Sequence, residues 1–276
     1  MGGKKSPEKT PPSSPIGVFD SGVGGLTVLS QIHKQLPHED VIYLADTARV
    51  PFGGRSPEEI IQINHEIIPF LIKKGAKLII MACGTSSAIA HPVVKDEYPV
   101  EIINLIEPGA QAAVSASESG RIGLIATVAT VNSGAFQDKI QELREKAEVF
   151  AAGCPLFVPL IEGGHFETDE TKKVAKEYLK PLLAKEIDTL ILGCTHYPHL
   201  SKVLDSIAEG KVKFIDPAEE AVANAKKLLK KAGTTKTTAT HGRYDYYVTG
   251  KPIPFEVLGS KLMGRPIAGA KQVTLS

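Results

Sequence analysis

Leu78-Ile79-Ile80-Met81-Ala82-Cys83-Gly84-Thr85 and Leu190-Ile191-Leu192-Gly193-Cys194-Thr195-His196 share one pattern. Each is a short apolar run, then a thiol, then a threonine entering what reads as a helix. Continuous apolar runs of this length are strands covered on both faces, as in parallel sheets flanked by helices. Ligands in such sheets bind beyond the carboxyl ends of the strands, which is where both cysteines fall. The chain has only three cysteines, so two in matching places suggest paired thiols facing one substrate from opposite sides.

Working outward, candidate strands occupy residues 16–19, 41–44, 78–82, 102–105, 121–126, 149–152, 190–192, 212–215 and 243–248. Amphipathic stretches lie between most of them, for example 57–74, 133–146, 168–185 and 217–231. Thr168 and Asp169 offer caps, and Pro217 suits a first helical turn. Short apolar strands alternating with helices predict an α/β fold with mostly parallel sheets. The repeated strand-Cys-Thr unit predicts two similar lobes with a cleft between them. Polar segments at 20–21, 46–54, 83–87, 127–130 and 194–196 fall at the expected strand ends.

Composition narrows the function classes. In 276 residues, 32 basic and 31 acidic side chains leave a net charge of +1, giving no basic footprint for nucleic acid or anionic membrane. No apolar run approaches the ~20 residues that span a bilayer. The N-terminus lacks a signal-type apolar region. Three scattered cysteines without CxxC spacing are no disulfide framework, and a reducing, cytoplasmic setting is expected. Residues 1–15, MGGKKSPEKTPPSSP, read as a disordered tail.

Each candidate site has a plainer alternative. Phe19-Asp20-Ser21-Gly22-Val23-Gly24-Gly25 is a glycine-rich turn after the first strand. It lets the backbone approach a ligand, and amides at the next helix start attract anions. The dinucleotide pattern fails, because its last glycine would fall at Thr27. The plain alternative is a tight turn with Asp20 as a cap. Cys83 and Cys194 read as reactive thiols at helix starts, where thiolates are favoured, against two structural core cysteines. Zinc on Cys194, His196 and His199 is a weaker alternative without standard spacing. His196, two residues beyond Cys194, can assist its proton transfer. A Cys-His hydrolase built on Cys194 and His196 competes, but it leaves Cys83 without a role. Cys154 reads as structural, and His91, His165, His199 and His241 as surface or capping residues. Glu162 sits in an expected glycine-rich loop after an apolar run.

Taken together, these segments resemble glutamate racemases, within the cofactor-independent aspartate/glutamate racemase superfamily. The matching pieces are Gly17-Val18-Phe19-Asp20-Ser21-Gly22-Val23-Gly24-Gly25-Leu26-Thr27, Asp46-Thr47-Ala48-Arg49-Val50-Pro51-Phe52-Gly53, Ala82-Cys83-Gly84-Thr85, Ala126-Thr127-Val128-Ala129-Thr130-Val131, residues 155–162 and Gly193-Cys194-Thr195-His196-Tyr197-Pro198. The resemblance implies two flavodoxin-like lobes, residues 16–107 with 217–276 and residues 108–216. It implies interconversion of L- and D-glutamate without cofactor or metal, supplying D-glutamate for peptidoglycan. By the same resemblance Cys83 takes the α-proton of D-glutamate and Cys194 that of L-glutamate. Asp20 assists Cys83, while His196 and Glu162 assist Cys194. Ser21, Phe52, Gly53, Gly84, Thr85, Thr127, Thr130 and Thr195, with Asp20 and His196, surround the substrate. Members are often homodimers.

Two positions depart from the family pattern. Gly84 stands where Asn is usual, and Phe52 where Tyr is usual. Each loss removes a hydrogen bond to a charged ligand group, roughly 1.5–3 kcal/mol. Aspartate or a related amino acid as substrate, or a weakly active binding or regulatory paralogue, are therefore the competing functions.

Overall fold

The run Ile16–Asp20 is buried along its whole length, with no polar face turned to water. Such a strand needs partners on both edges and helices on both faces. A computed structural model, which describes residues 11–276, supplies both. In chain order the elements begin β1 (Ile16–Asp20), α1 (Leu26–Gln35), β2 (Val41–Ala45), α2 (Pro57–Lys73), β3 (Leu78–Met81), α3 (Gly84–Ile89), α4 (His91–Val94) and β4 (Glu101–Ile103). Then follow α5 (Ile106–Ala116), β5 (Arg121–Ala126), α6 (Val128–Asn132), α7 (Ala135–Leu143), β6 (Glu148–Gly153), α8 (Phe157–Glu162), α9 (Asp169–Leu183) and β7 (Thr189–Leu192). The chain closes with α10 (Ser201–Ala208), β8 (Lys213–Ile215), α11 (Pro217–Ala232), β9 (Tyr244–Val248), α12 (Pro252–Met263) and β10 (Lys271–Gln272).

The strands form two sheets, β10-β9-β2-β1-β3-β4 and β6-β5-β7-β8, and every pairing among the described residues is parallel. The chain passes from the first sheet to the second after β4 and returns after β8. In the first sheet Ile16 faces Val41 on one side and Leu78 on the other. One face of that sheet packs on α1, α11 and α12 through Leu29, Val222 and Phe255; the other packs on α2 through Ile60, Ile67 and Leu71. The second sheet is covered by α8, α9 and α10 through Phe157, Leu179 and Leu204, and by α5 and α7 through Ala110 and Ile140. The cores of the two halves share one strand order, β2-β1-β3-β4 against β6-β5-β7-β8.

Local sequence explains the long helices. Ser56 and Glu59 form a reciprocal capping box on α2, with Pro57 in its first turn. The Thr168 side chain caps α9 and the Asp216 side chain caps α11, which ends at left-handed Gly233.

Of the tail expected over residues 1–15, residues 1–10 lie outside the described residues. Within 11–15, the Pro12 carbonyl accepts a 2.8 Å hydrogen bond from Lys77 Nζ. The same ammonium donates to Glu39 Oε2 at 2.6 Å and to the Thr234 carbonyl at 2.8 Å. Both charged side chains are about 1% exposed. Removing one partner strands the other charge in the interior. Lys77→Met is therefore expected to cost about 3 kcal/mol, read as a lower urea midpoint. The Glu39→Gln/Lys77→Met pair should lose less than the sum of its single changes.

Candidate active site

Four strand ends meet in the space between the sheets. β1 ends at Asp20, β3 leads through Ala82 to Cys83, β5 leads to Thr127, and β7 leads through Gly193 to Cys194. β1 and β3, like β5 and β7, are the neighbours at which the strand order reverses, the usual ligand position in open α/β sheets. Cys83 and Cys194 thus follow equivalent strands of two equivalent cores. Between them lies a cavity of about 10 Å³, lined by Asp20, Ser21, Pro51, Phe52, Gly53, Cys83, Gly84, Thr85, Thr127, Val158, Cys194, Thr195 and His196.

The glycine-rich turn does two jobs. Asp20 Oδ2 accepts from Gly25 N at 2.9 Å and Gly22 N at 3.2 Å, so the cap alternative describes part of its role. Glu162 Oε1 takes the Val23 amide at 3.0 Å from the second lobe. Built-in carboxylates therefore occupy amides that the sequence offered to an external anion. The turn also gives close approach to the other lobe. A Cβ on Gly24 would lie 2.2 Å from His196 Nδ1, so the imidazole rests on bare backbone.

Gly84 makes a second close approach. A Cβ there would lie 2.2 Å from the Gly193 carbonyl oxygen, well inside contact distance. The two cysteine-bearing segments therefore touch where any side chain at 84 would part them. The Thr85 and Thr127 hydroxyls bond across the lobes at 2.9 Å, and Thr130 Oγ1 supports Thr127 at 2.9 Å. Thr195 Oγ1 is buried with no partner among the described residues, and at a cavity wall such a group points to a ligand.

The surroundings of the two thiols differ. Cys83 stands at the N-cap position of α3 without a side-chain cap hydrogen bond, and belongs to the apolar cluster containing Phe19, Phe52 and Ile63. Burial pushes its thiol well up and the Asp20 carboxylate adds to this, while the Ser86 amide and hydroxyl pull the other way. Cys194 Sγ lies 3.7 Å from His196 Nδ1, and His196 Nε2 lies 2.8 Å from Glu162 Oε1. Burial opposes charge on His196. Hydrogen bonds with Cys194 and Glu162, then the charges of Cys194 and Asp20, outweigh it and hold the imidazole well above its ordinary value. Burial likewise works against the Glu162 carboxylate, but His196 and the Val23 amide hold it below its ordinary value. Burial raises Asp20, opposed by the His196 charge and the turn amides.

The His196–Glu162 pair carries a definite pH signature. Glu162, with a lowered value, adds stability above its ordinary 4.5 that is lost as pH falls through the lowered value. His196, with a raised value, adds stability below its ordinary 6.5 that is lost as pH rises through the raised value. Both contributions are full between those ordinary values. Glu162→Gln is therefore expected to lose about 2 kcal/mol near pH 5.5 and less at pH 9, measured by urea unfolding at the two pH values.

Several sequence expectations need correction. Glu162 ends helix α8 rather than sitting in a loop; it and Thr130 stand behind the cavity wall, supporting His196 and Thr127. Cys194 heads no α-helix. Pro198 lies in the following 3₁₀ turn, Tyr197–Leu200, and α10 begins only at Ser201. His199 is half-buried behind His196 rather than on the surface; burial and then the His196 charge pull it down to about 4. Pro51 and Val158 line the cavity without having signalled it, being apolar residues in motifs read for their polar members. Cys154 is buried, and its carbonyl accepts from the Tyr197 hydroxyl at 3.1 Å. Among the described residues, no three His, Cys, Asp or Glu side chains gather as a metal site, and no helix is long and apolar enough to cross a membrane.

A space of about 10 Å³ holds one water-sized molecule, so the lobes are closed on one another. Outside it lies an apolar vestibule of about 440 Å³ that includes Arg55, Val128 and Pro155. Pro51, Gly53, Thr127 and Val158 line both spaces. The wall is held in place by Arg55, whose guanidinium Nη2 and Nε donate to the Arg49 carbonyl at 2.7 and 3.0 Å.

Fold and site together define a two-lobed α/β enzyme with a buried thiol from each lobe on one small enclosed cavity. Residues 16–225 match the model of the Asp/Glu/Hydantoin racemase family. A glutamate racemase of Rippkaea orientalis is 51% identical over 221 residues, 80% of this chain and 78% of that one. A glutamate racemase isoform of Bacillus anthracis superposes with a TM-score of 0.90 at 34% identity, covering 95% of this chain and 97% of that one. A glutamate racemase of Francisella tularensis, solved in complex with D-glutamate, gives 0.88 at 37% identity, covering 95% and 98%. The chain belongs to the Asp/Glu/Hydantoin racemase family, and its matched relatives are isomerases.

Proposed function

We propose that this chain interconverts L- and D-glutamate, with Cys83 and Cys194 as the two bases and no cofactor. The observation that carries the reading is the pair of buried thiols, one from each lobe, on one enclosed cavity. Inverting a carbon requires a proton to leave one face and another to arrive on the opposite face. With D-glutamate, Cys83 as thiolate takes the α-hydrogen and Cys194 as thiol supplies one to the other face. The enzyme is then ready for L-glutamate, with the roles exchanged. Enantiomers have equal energy, so the reaction needs no external driving force.

The hard step is negative charge at a carbon beside a carboxylate. Hydroxyls of Ser21, Thr85 and Thr195 and the amides near Phe52 and Gly53 suit that charge and the carboxylates. On the Cys83 side the Asp20 charge pushes the thiol up, which makes the thiolate, once formed, the stronger base. On the Cys194 side, His196 stands beside the sulfur with Glu162 behind it. Closure excludes water from the carbanion.

Glutamate is favoured over aspartate by the names of the relatives and by the neighbour solved with D-glutamate. The physiological role that follows is supply of D-glutamate for peptidoglycan in the cytoplasm. Complementation of a D-glutamate-requiring bacterium tests it, and failure of well-expressed protein to complement would count against it. A homodimer is expected from the family resemblance and is checked by light scattering. The chemical test is racemisation of L-glutamate and L-aspartate side by side with fresh reduced enzyme. No D-enantiomer from either would sink the proposal.

A further inference from the structure

Glu162 Oε1 has two partners, one from each lobe. The Val23 amide of the glycine-rich turn donates to it at 3.0 Å, and His196 Nε2 lies 2.8 Å from it. His196 Nδ1 in turn stands 3.7 Å from the Cys194 sulfur. The support beside Cys194 is therefore completed by a backbone N–H from the opposite lobe. Glu162 is the last residue of α8, and its side chain is 22% exposed. Water is thus an alternative partner for the carboxylate, and the Val23 amide holds it inward. The orientation of one peptide unit then matters to the chemistry.

Tyr43 fixes that orientation. The Val23 N–H belongs to the same peptide unit as the Gly22 carbonyl. That unit is trans, so its N–H and its carbonyl point in opposite directions within one plane. The Tyr43 hydroxyl, reaching over from β2, donates to the Gly22 carbonyl at 2.9 Å. The peptide is clamped at both ends, by Tyr43 in its own lobe and by Glu162 from the other. Gly22 leaves the room this needs, since a Cβ there would lie 2.0 Å from Glu162 Oε1.

Nothing else in the fold calls for the hydroxyl. The Tyr43 ring is fully buried outside the cavity lining, stacked on Phe255 of α12 with 5.9 Å between ring centres and 21° between planes. Phenylalanine would fill the same place with no polar group to satisfy. Burial first, then the charges of Asp20, Glu162 and Cys83, hold the phenol protonated well beyond its ordinary value, so it stays a donor.

We propose that Tyr43 is a positioning residue for the Cys194 side of the reaction. Its hydroxyl sets the Gly22–Val23 peptide so that the Val23 N–H meets Glu162, and Glu162 holds His196 against Cys194. The chain of contacts crosses from one lobe to the other, so it is complete only when the lobes are closed. Closure thereby prepares Cys194 as well as excluding water. The proposal rests on the two-thiol reading above, and position 43 lies outside every segment quoted for the family resemblance.

The test reads His196 directly and needs no turnover. Full-length reduced protein with ¹⁵N-labelled histidine is followed by NMR from pH 5 to 10, the His196 signal being assigned by its loss in His196→Gln. The titratable groups facing this ring are Cys194, Glu162 from α8, Asp20 from β1 and His199. Glu162→Gln is expected to move the His196 titration down by on the order of one pH unit, and Tyr43→Phe to move it down by about half as much. In the double variant Tyr43→Phe adds nothing to Glu162→Gln, because the tyrosine works through that carboxylate. An unmoved or raised His196 titration in Tyr43→Phe overturns the assignment. So does a Tyr43→Phe shift that is just as large in the Glu162→Gln background, which would route the effect through Asp20 or a general loosening. If Tyr43→Phe fails to fold, Phe255→Leu, which removes the stacked ring that steadies Tyr43, takes its place in the same cycle, and an unmoved His196 overturns the assignment. Racemisation can stand while this result fails, and the His196 shift can appear in a protein that does not racemise glutamate.

Discussion

Replacing either Cys83 or Cys194 with serine is expected to abolish racemisation in both directions, lowering kcat/KM by at least about 10³-fold. Both sulfurs line the same enclosed cavity, and in the proposed reaction neither works alone. A hydroxyl is a far weaker acid than a thiol, so serine removes the base without removing the volume. The loss must be equal for the two enantiomers. Their energies are equal, so kcat/KM for L- and D-glutamate cannot diverge whichever cysteine is replaced. Because the thiols act as one unit, the double serine variant should be no worse than the single ones. Polarimetry or chiral chromatography from each enantiomer measures this. Full turnover in either single variant would remove that cysteine from the mechanism. A Cys-His hydrolase using Cys194 and His196 would instead leave Cys83→Ser active.

Restoring the family's usual asparagine at position 84 is expected to harm this chain. The sequence pattern alone suggests the opposite, since the asparagine amide adds a donor for the amino acid. The structure gives a steric reason to expect a loss. A Cβ at Gly84 would sit 2.2 Å from the Gly193 carbonyl oxygen, whose neighbour is Cys194. That oxygen is backbone and cannot rotate away, so the two cysteine segments must separate by on the order of 1 Å. A displacement of that size at a reacting centre costs about 10²-fold. Gly84→Asn and Gly84→Ala should both lower kcat/KM by about 10- to 100-fold. The urea midpoint should move little, because the strain falls on the seam between the lobes and not in either core. A Gly84→Asn enzyme equal to or faster than the wild type would show that the lobes close without this contact.

Much of the fold was legible because the central strands are apolar along nearly their whole length. The runs that became β1, β3, β5 and β7 have no solvent face to confuse the pattern. The two-residue strand β10 carried no signal, since both its residues are exposed and polar. Short helices were harder. α8 is six residues long and follows Cys154-Pro155-Leu156, so Glu162 read as a loop residue. Its contacts with Val23 and His196 join segments far apart in the chain, and no local pattern reports such a contact.

The glycines show the same limit more sharply. Gly24 and Gly84 read as room for a ligand or as a lost side chain, and each is also where the other lobe presses against backbone.

The proposal of two thiols working on opposite faces of one carbon is tested most directly by following hydrogen at low conversion. Fresh reduced enzyme is given L-glutamate in deuterium oxide and stopped after a few per cent reaction. Each thiol carries one exchangeable hydrogen, so the hydrogen delivered by Cys83 comes from solvent, while the one taken by Cys194 leaves with it. D-glutamate with one deuterium at the α-carbon is expected from the first turnovers, while recovered L-glutamate remains undeuterated. D-glutamate retaining its original hydrogen, or recovered L-glutamate deuterated as early as the product, would contradict it.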